Sequence, residues 1–238
     1  MSRLVLVRHC EPEEDARGLC YGRLDIGLSL AGRAHAERLA PALAKLQWEA
    51  VYTSPRRRAC ETAAALAAAR GLEPLIDDGL RELDFGELEG RSYDEIAATD
   101  PELYRAWMER PTTVSFPGGE SFADLKARAL AALDRIRAEH EAALVVTHGG
   151  VLRAGVAAWL AMPDEAIFRL DQRYGGVTIV DWQEGVPLVR LLNGEPLEPG
   201  GANGRGQALI RDLHGFVNDR GESAPCRLNA REELDTKL

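Results

Sequence analysis

Two histidines close two apolar runs: LVLVRH ends on His9 and ALVVTH on His148. Apolar runs without alternation read as strands buried on both faces, as in a parallel sheet covered by helices. In open sheets of that kind, ligands bind beyond the carboxyl ends of the strands. Two histidines at two such ends can therefore face one site, however far apart the chain sets them. Gly149-Gly150 follows the second, lets backbone approach a ligand closely, and opens the next helix, whose N-terminus favours anions. Either histidine alone is as readily a packed or solvated residue; the matched pair is what points to chemistry.

Arginines surround these positions. Arg8 adjoins His9, and Arg56, Arg57 and Arg58 stand at the start of a helix. Three cations work against the positive end of a helix dipole unless an anion is bound there. Successive helical residues diverge by about 100°, so one or two of the three can face a common site and the rest face solvent. Glu82, in LRELDFG, lies in an extended stretch where it can serve as a general acid or merely pair with an arginine. Other phosphate chemistries are missing from the sequence: there is no GxxxxGK[ST] loop, GxSxG elbow, HExxH, Cys-x5-Arg or DxD. Histidine remains as the candidate nucleophile, with arginines in place of a metal.

The elements that must hold these residues follow from the pattern. Residues 4–7, 50–53 and 142–146 read as buried strands, and 177–182 and 186–192 as two late strands joined at Glu184-Gly185. Ser29 can cap a helix to about residue 46, and Ser54-Pro55 a helix to Arg70. Ser92 with Glu95 and Ser121 with Asp124 resemble capping boxes, the second opening a helix over 121–140. A further helix over 151–161 stops before Pro163. Alternating strands and helices give an α/β three-layer sandwich, with a mostly parallel central sheet flanked by helices. Residues 1–195 form this domain, with a helical insertion over the site at about 92–120. Residues 196–206 read as a linker, 208–217 as an amphipathic helix, and 219–238 as a polar tail.

The chain of 238 residues can bury a full core without staples, and its net charge of -9 disfavours nucleic acid and anionic membrane as partners. Cys10, Cys20, Cys60 and Cys226 show no CxxC or zinc spacing and read as reduced thiols of a cytoplasmic protein. No metal and no cofactor is expected. The expected partner is a small phosphomonoester, bound by a monomer or homodimer.

Four ordered motifs resemble the histidine phosphatase (phosphoglycerate mutase-like) superfamily. They are RHC at 8–10, SPRRRACETA at 54–63, LRELDFGELEG at 80–90 and VVTHGG at 145–150. The resemblance covers about residues 3–193. It implies His9 as the phosphate-accepting nucleophile, Arg8, Arg58 and His148 as phosphate-binding catalytic residues, and Glu82 as the acid. Gly149 is implied at the phosphate. LCYGRLDIGLS at 19–29 resembles a loop of alpha-ribazole phosphatase-like members, which adds Tyr21 and Gly22 to the binding set and implies a place in cobalamin biosynthesis. Two positions depart from the pattern: Cys10 replaces the glycine after the histidine, and Asp15 stands where mutase-like members often carry asparagine. A carboxylate repels phosphate, so Asp15 is expected to point away.

The expected activity is metal-independent phosphomonoester hydrolysis through phosphohistidine, with alpha-ribazole 5'-phosphate as one candidate substrate. The alternatives are a phosphoglycerate mutase-like phosphotransferase and a non-catalytic phosphate binder. The expected mechanism needs a neutral His9 whose second ring nitrogen is held by a backbone carbonyl. Cys10 reads as a small packing residue sooner than as a redox switch. Trp107 and the segment Pro117–Ser121 are expected to border the pocket, and Trp159 and Trp182 to pack in the core.

Overall fold

The uninterrupted apolar runs lie at the centre of a six-stranded sheet in the computed structural model, which describes residues 1–195. The linker, amphipathic helix and tail expected beyond 195 lie outside the described residues. The strands are β1 (Ser2–Arg8), β2 (Ala50–Thr53), β3 (Leu75–Ile76), β4 (Ala142–Thr147), β5 (Val177–Gln183) and β6 (Val186–Gly194), in the order β3-β2-β4-β1-β5-β6. β1, β2, β3 and β4 pair in parallel, and β5 alone runs against the others. The helices are α1 (Leu30–Leu43), α2 (Arg57–Ala68), α3 (Tyr93–Thr99), α4 (Pro101–Glu109), α5 (Phe122–Glu139) and α6 (Gly149–Trp159).

Successive strand side chains point to opposite faces, and β1 divides its run accordingly. Leu4 and Leu6 pack with Leu125, Leu133 and Leu152 of α5 and α6 on one face. Val5 and Val7 pack with Leu39, Leu43, Ala63 and Leu66 of α1 and α2 on the other. This is the expected three-layer sandwich, and both histidines follow its innermost strands. Each fully buried Leu or Val contributes about 1.5–3 kcal/mol, so the site is mounted on the most heavily stabilised part of the chain. Trp159 and Trp182 meet edge to face, with ring centroids 5.2 Å apart.

Sequence capping is realised at three helices. Ser29 Oγ accepts from Gly32 N at 2.9 Å, and the Ser92–Glu95 and Ser121–Asp124 boxes are both formed. The expected cap of α2 is not. Its N-cap is Arg56, which makes no side-chain cap, and Pro55 precedes the helix. Asp25 and Ile26 supply the missing acceptors, taking bonds from Arg57 N at 2.9 Å and Arg58 N at 3.0 Å. Ser54 is thereby released for a different partner. β3 escapes the sequence pattern because it is two exposed residues long. Helices α3 and α4 carry a small apolar cluster of their own, built on Ile96, Trp107, Val114 and Phe116.

Candidate active site

Strand register brings the two histidines together. Arg8 of β1 is opposite Thr147 of β4 in a parallel pair, so His9 and His148 leave the sheet side by side. His9 N donates to Thr147 O at 2.9 Å, and the two imidazole centroids are 5.1 Å apart. Both rings are buried.

His9 Nδ1 lies 2.8 Å from the carbonyl oxygen of its neighbour Cys10. A carbonyl only accepts, so Nδ1 carries the proton and Nε2 keeps its lone pair. Burial, then the charges of Arg58 and Arg8, hold the His9 pKa well below the usual imidazole value. The ring is therefore neutral near pH 7, as a nucleophile must be. His148 is held neutral in the same way, by burial first, then by Arg58, His9, Arg8 and Arg56. Its Nε2 sits 2.7 Å from Ser54 Oγ, while its buried Nδ1 has no partner among the described residues. Ser54 Oγ also accepts from Arg56 N at 3.3 Å, and its one hydrogen can go to Nε2. In that arrangement His148 carries its own proton on Nδ1.

Of the three consecutive arginines, one enters the site fully. Arg58 is completely buried, donating from Nη1 to Leu24 O at 2.9 Å and from Nη2 to Tyr21 O at 3.0 Å and Gly22 O at 3.2 Å. Arg57 faces solvent and pairs with Glu61 at 2.8 Å. Arg56 contributes charge near His148. Arg8 donates to Gln172 O and stacks over Tyr174, 4.1 Å from the ring centroid. The Nε atoms of Arg8 and Arg58 and Nδ1 of His148 are buried donors without a protein partner, a combination suited to an oxyanion.

The loop over residues 21–24 places Tyr21 in the lining of the cavity that Arg8, His9 and Glu82 share, and holds Arg58 through its carbonyls. Gly22 sits where a Cβ would lie 1.6 Å from Leu83 O, so it is fixed by loop packing and does not line the cavity. Glu89 ties this loop down by accepting from Gly22 N, Arg23 N, Leu24 N and Phe85 N at 3.0, 2.7, 3.2 and 3.1 Å. The Tyr21 ring lies 5.0 Å from Arg58 Cζ, and its hydroxyl meets that of Tyr174 at 2.7 Å.

Glu82 forms no salt bridge with Arg81, which pairs with Asp78. Its carboxylate accepts from Leu83 N at 2.9 Å and Gly150 N at 3.2 Å. A Cβ on Gly150 would stand 2.3 Å from Glu82 Oε1. The second glycine of the pair therefore admits a carboxylate. A Cβ on Gly149 would meet Arg153 Nη1 at 3.0 Å and Arg8 Cζ at 3.6 Å.

Arg8, His9 and Glu82 share a cavity of about 430 Å³. Its outer wall is apolar, with Leu83, Phe85 and Phe122 on one side and Tyr93, Trp107 and Met108 of α3 and α4 on another. Pro117–Ser121 does not line it; Pro117 O accepts from Glu87 N at 2.9 Å and Glu120 N donates to Asp84 O, bracing the loop after Glu82. Asp15 is exposed in the short 3-10 helix Glu14–Ala16 and absent from the cavity. Cys10 is fully buried, and burial pushes its thiol up to about 11, against any redox role. Sequence reasoning passed over Tyr174, Ser54's contact with His148, and Arg153. Arg153 had a usable signal, lying one helical turn beyond Gly149. Among the described residues no group of three or more His, Cys, Asp or Glu could hold a metal ion, and no helix is long and apolar enough to cross a membrane.

The profile of the histidine phosphatase superfamily (branch 1) matches residues 4–195. The chain is 36% identical to phosphoserine phosphatase 1 of Hydrogenobacter thermophilus, over 81% of its length and 92% of the relative's. It is 37% identical to a metal-independent phosphoserine phosphatase of Arabidopsis thaliana, over 65% and 67% of the two chains. The crystal structure of the alpha-ribazole phosphatase from Shigella flexneri superposes with a TM-score of 0.75 at 28% identity, covering 82% of this chain and 98% of that one.

Proposed function

Because the chain belongs to the histidine phosphatase superfamily (branch 1), we propose that it hydrolyses phosphomonoesters without a metal, through a phosphohistidine on His9. That it is a phosphoric monoester hydrolase is supported by the family and by the phosphatases among its relatives. The observation that carries the residue assignment is the neutral, buried His9 with Nδ1 held by the Cys10 carbonyl and flanked by Arg8, Arg58 and His148.

Nε2 of His9 attacks phosphorus in line, and the bond from phosphorus to the ester oxygen breaks with its electron pair on the oxygen. Glu82 protonates that oxygen, and the alcohol leaves. Glu82 then takes a proton from water, which attacks phosphorus and returns the electron pair of the P–N bond to His9. The donors of Arg8, Arg58 and His148 stabilise the charge on the transferring oxygens. The apolar outer wall favours an alcohol with a bulky, weakly polar body. Alpha-ribazole 5'-phosphate and phosphoserine, taken from the names of similar proteins, belong on the first substrate panel.

His9→Ala tests the proposal. The variant should lose hydrolysis of p-nitrophenyl phosphate, acid quenching of the wild type should trap a phosphorylated His9, and EDTA should leave the rate unchanged. Full activity in the variant, or loss with chelator, overturns it.

A further inference from the structure

Arg153 stands at the edge of the phosphate cradle: a Cβ on Gly149 would meet its Nη1 at 3.0 Å and Arg8 Cζ at 3.6 Å. Arg153 lines the cavity together with Arg8, His9, Glu82, Gly150 and Phe168. Its Nε donates to Leu170 O at 3.0 Å, and its guanidinium carbon lies 5.3 Å from the Phe168 ring centroid. These contacts fix the fork in place. They leave both Nη nitrogens without a hydrogen-bond partner among the described residues. Burial lowers the Arg153 pKa, opposed by the Glu82 charge; the group remains a cation.

Glu82 and Asp171 act on Arg153 only through space, opposed by the charge of Arg8, and apolar groups make up much of the lining around it. Leu83, Phe85, Trp107, Leu125, Ile167 and Phe168 supply apolar lining to the same cavity. A guanidinium on an apolar wall carries a desolvation cost that an anionic acceptor offsets, through bidentate bonds when the acceptor is planar. The phosphoryl group already has the unpartnered donors of Arg8, Arg58 and His148. The other half of the substrate can then supply the anion that the Arg153 fork is free to bind.

We propose that Arg153 is a specificity-determining residue: it binds an anionic group, a carboxylate in the simplest case, carried by a leaving alcohol whose apolar body packs on the aromatic wall. This rests on the phosphatase reading above and narrows it. A neutral alcohol leaves Arg153 unpaired, and a small polar one leaves the wall uncovered.

The test compares phenyl phosphate with 3-carboxyphenyl and 4-carboxyphenyl phosphate. In the wild type at least one carboxyphenyl ester should be preferred. In Arg153→Gln the ratio of its kcat/KM to that of phenyl phosphate should fall about 10- to 100-fold, mainly through KM, the range for losing a charged hydrogen bond. Arg153→Lys should recover part of the preference, and thermal melting identifies any variant that fails to fold. A ratio moving by less than about threefold in a folded Arg153→Gln, or an equal loss on all three esters, overturns the proposal; the latter assigns Arg153 to the phosphoryl group. Wild-type protein that turns over none of the esters overturns the phosphatase reading itself.

Discussion

Ser54 Oγ and His148 Nε2 lie 2.7 Å apart, joining the segment before α2 to the end of β4. The contact couples the tautomer of His148 to the serine hydroxyl: when Ser54 donates to Nε2, Nδ1 carries the proton and is the donor left for a ligand. Ser54→Ala removes that constraint without adding bulk. We expect kcat with p-nitrophenyl phosphate to fall about 10-fold, as one net hydrogen bond commands, with Ser54→Thr retaining most of the rate. Equal rates in wild type and alanine variant would show that Ser54 only fills space.

Arg58 performs two tasks with one planar group: its Nη atoms hold the carbonyls of Tyr21, Gly22 and Leu24, and its Nε is left for the ligand. Lysine keeps the charge but cannot span both. Arg58→Lys should therefore lower kcat/KM by about 10²- to 10³-fold, by analogy with loss of an oxyanion donor. Retention of more than a tenth of the activity would count against this division of labour.

Gly150 makes room for the Glu82 carboxylate, which a Cβ would approach to 2.3 Å. Gly150→Ala should displace the carboxylate and weaken its bond from Gly150 N. Activity should drop about 10- to 100-fold, most on esters of poor leaving groups such as alkyl phosphates, with aryl phosphates hit less because their leaving oxygens need less protonation. Equal losses on alkyl and aryl esters would argue against Glu82 as the acid.

The buried histidines tie stability to pH. In the unfolded chain both titrate at the ordinary imidazole value of about 6.5, whereas in the fold both pKa values lie well below it. Between those limits the unfolded state binds more protons, so stability falls as pH drops through about 6.5. Each histidine contributes up to about 1.4 kcal/mol per pH unit in that window. Urea midpoints should decline from pH 7.5 to 5.5, and His148→Gln should flatten the decline. An unchanged slope in that variant would exclude His148 as a source.

The central histidines were legible because each ends an unbroken apolar run, and such runs have few alternatives in an α/β protein. The three-layer arrangement followed from the same runs. Arg58 could be separated from Arg56 and Arg57 only through the resemblance, since helical geometry admits one or two of three without saying which. Ser54 was misread as a cap because local sequence favours capping, and tertiary contact with His148 won instead. Tyr174 reaches His9 through a loop whose position depends on Gly175 N bonding the Arg8 and His9 carbonyls, which no local pattern encodes. The packing of Gly22 against Leu83 was not legible either, because it joins segments distant in the chain.

The small apolar cluster beneath α3 and α4 separates chemistry from choice of substrate. Trp107 anchors that cluster and also forms the cavity wall, while His9 and His148 are fixed by the register of β1 and β4. Natural drift or deliberate redesign can therefore recut the outer wall, residue by residue, while the strand-borne pair keeps its spacing. One reaction centre can in this way be fitted to a succession of alcohols.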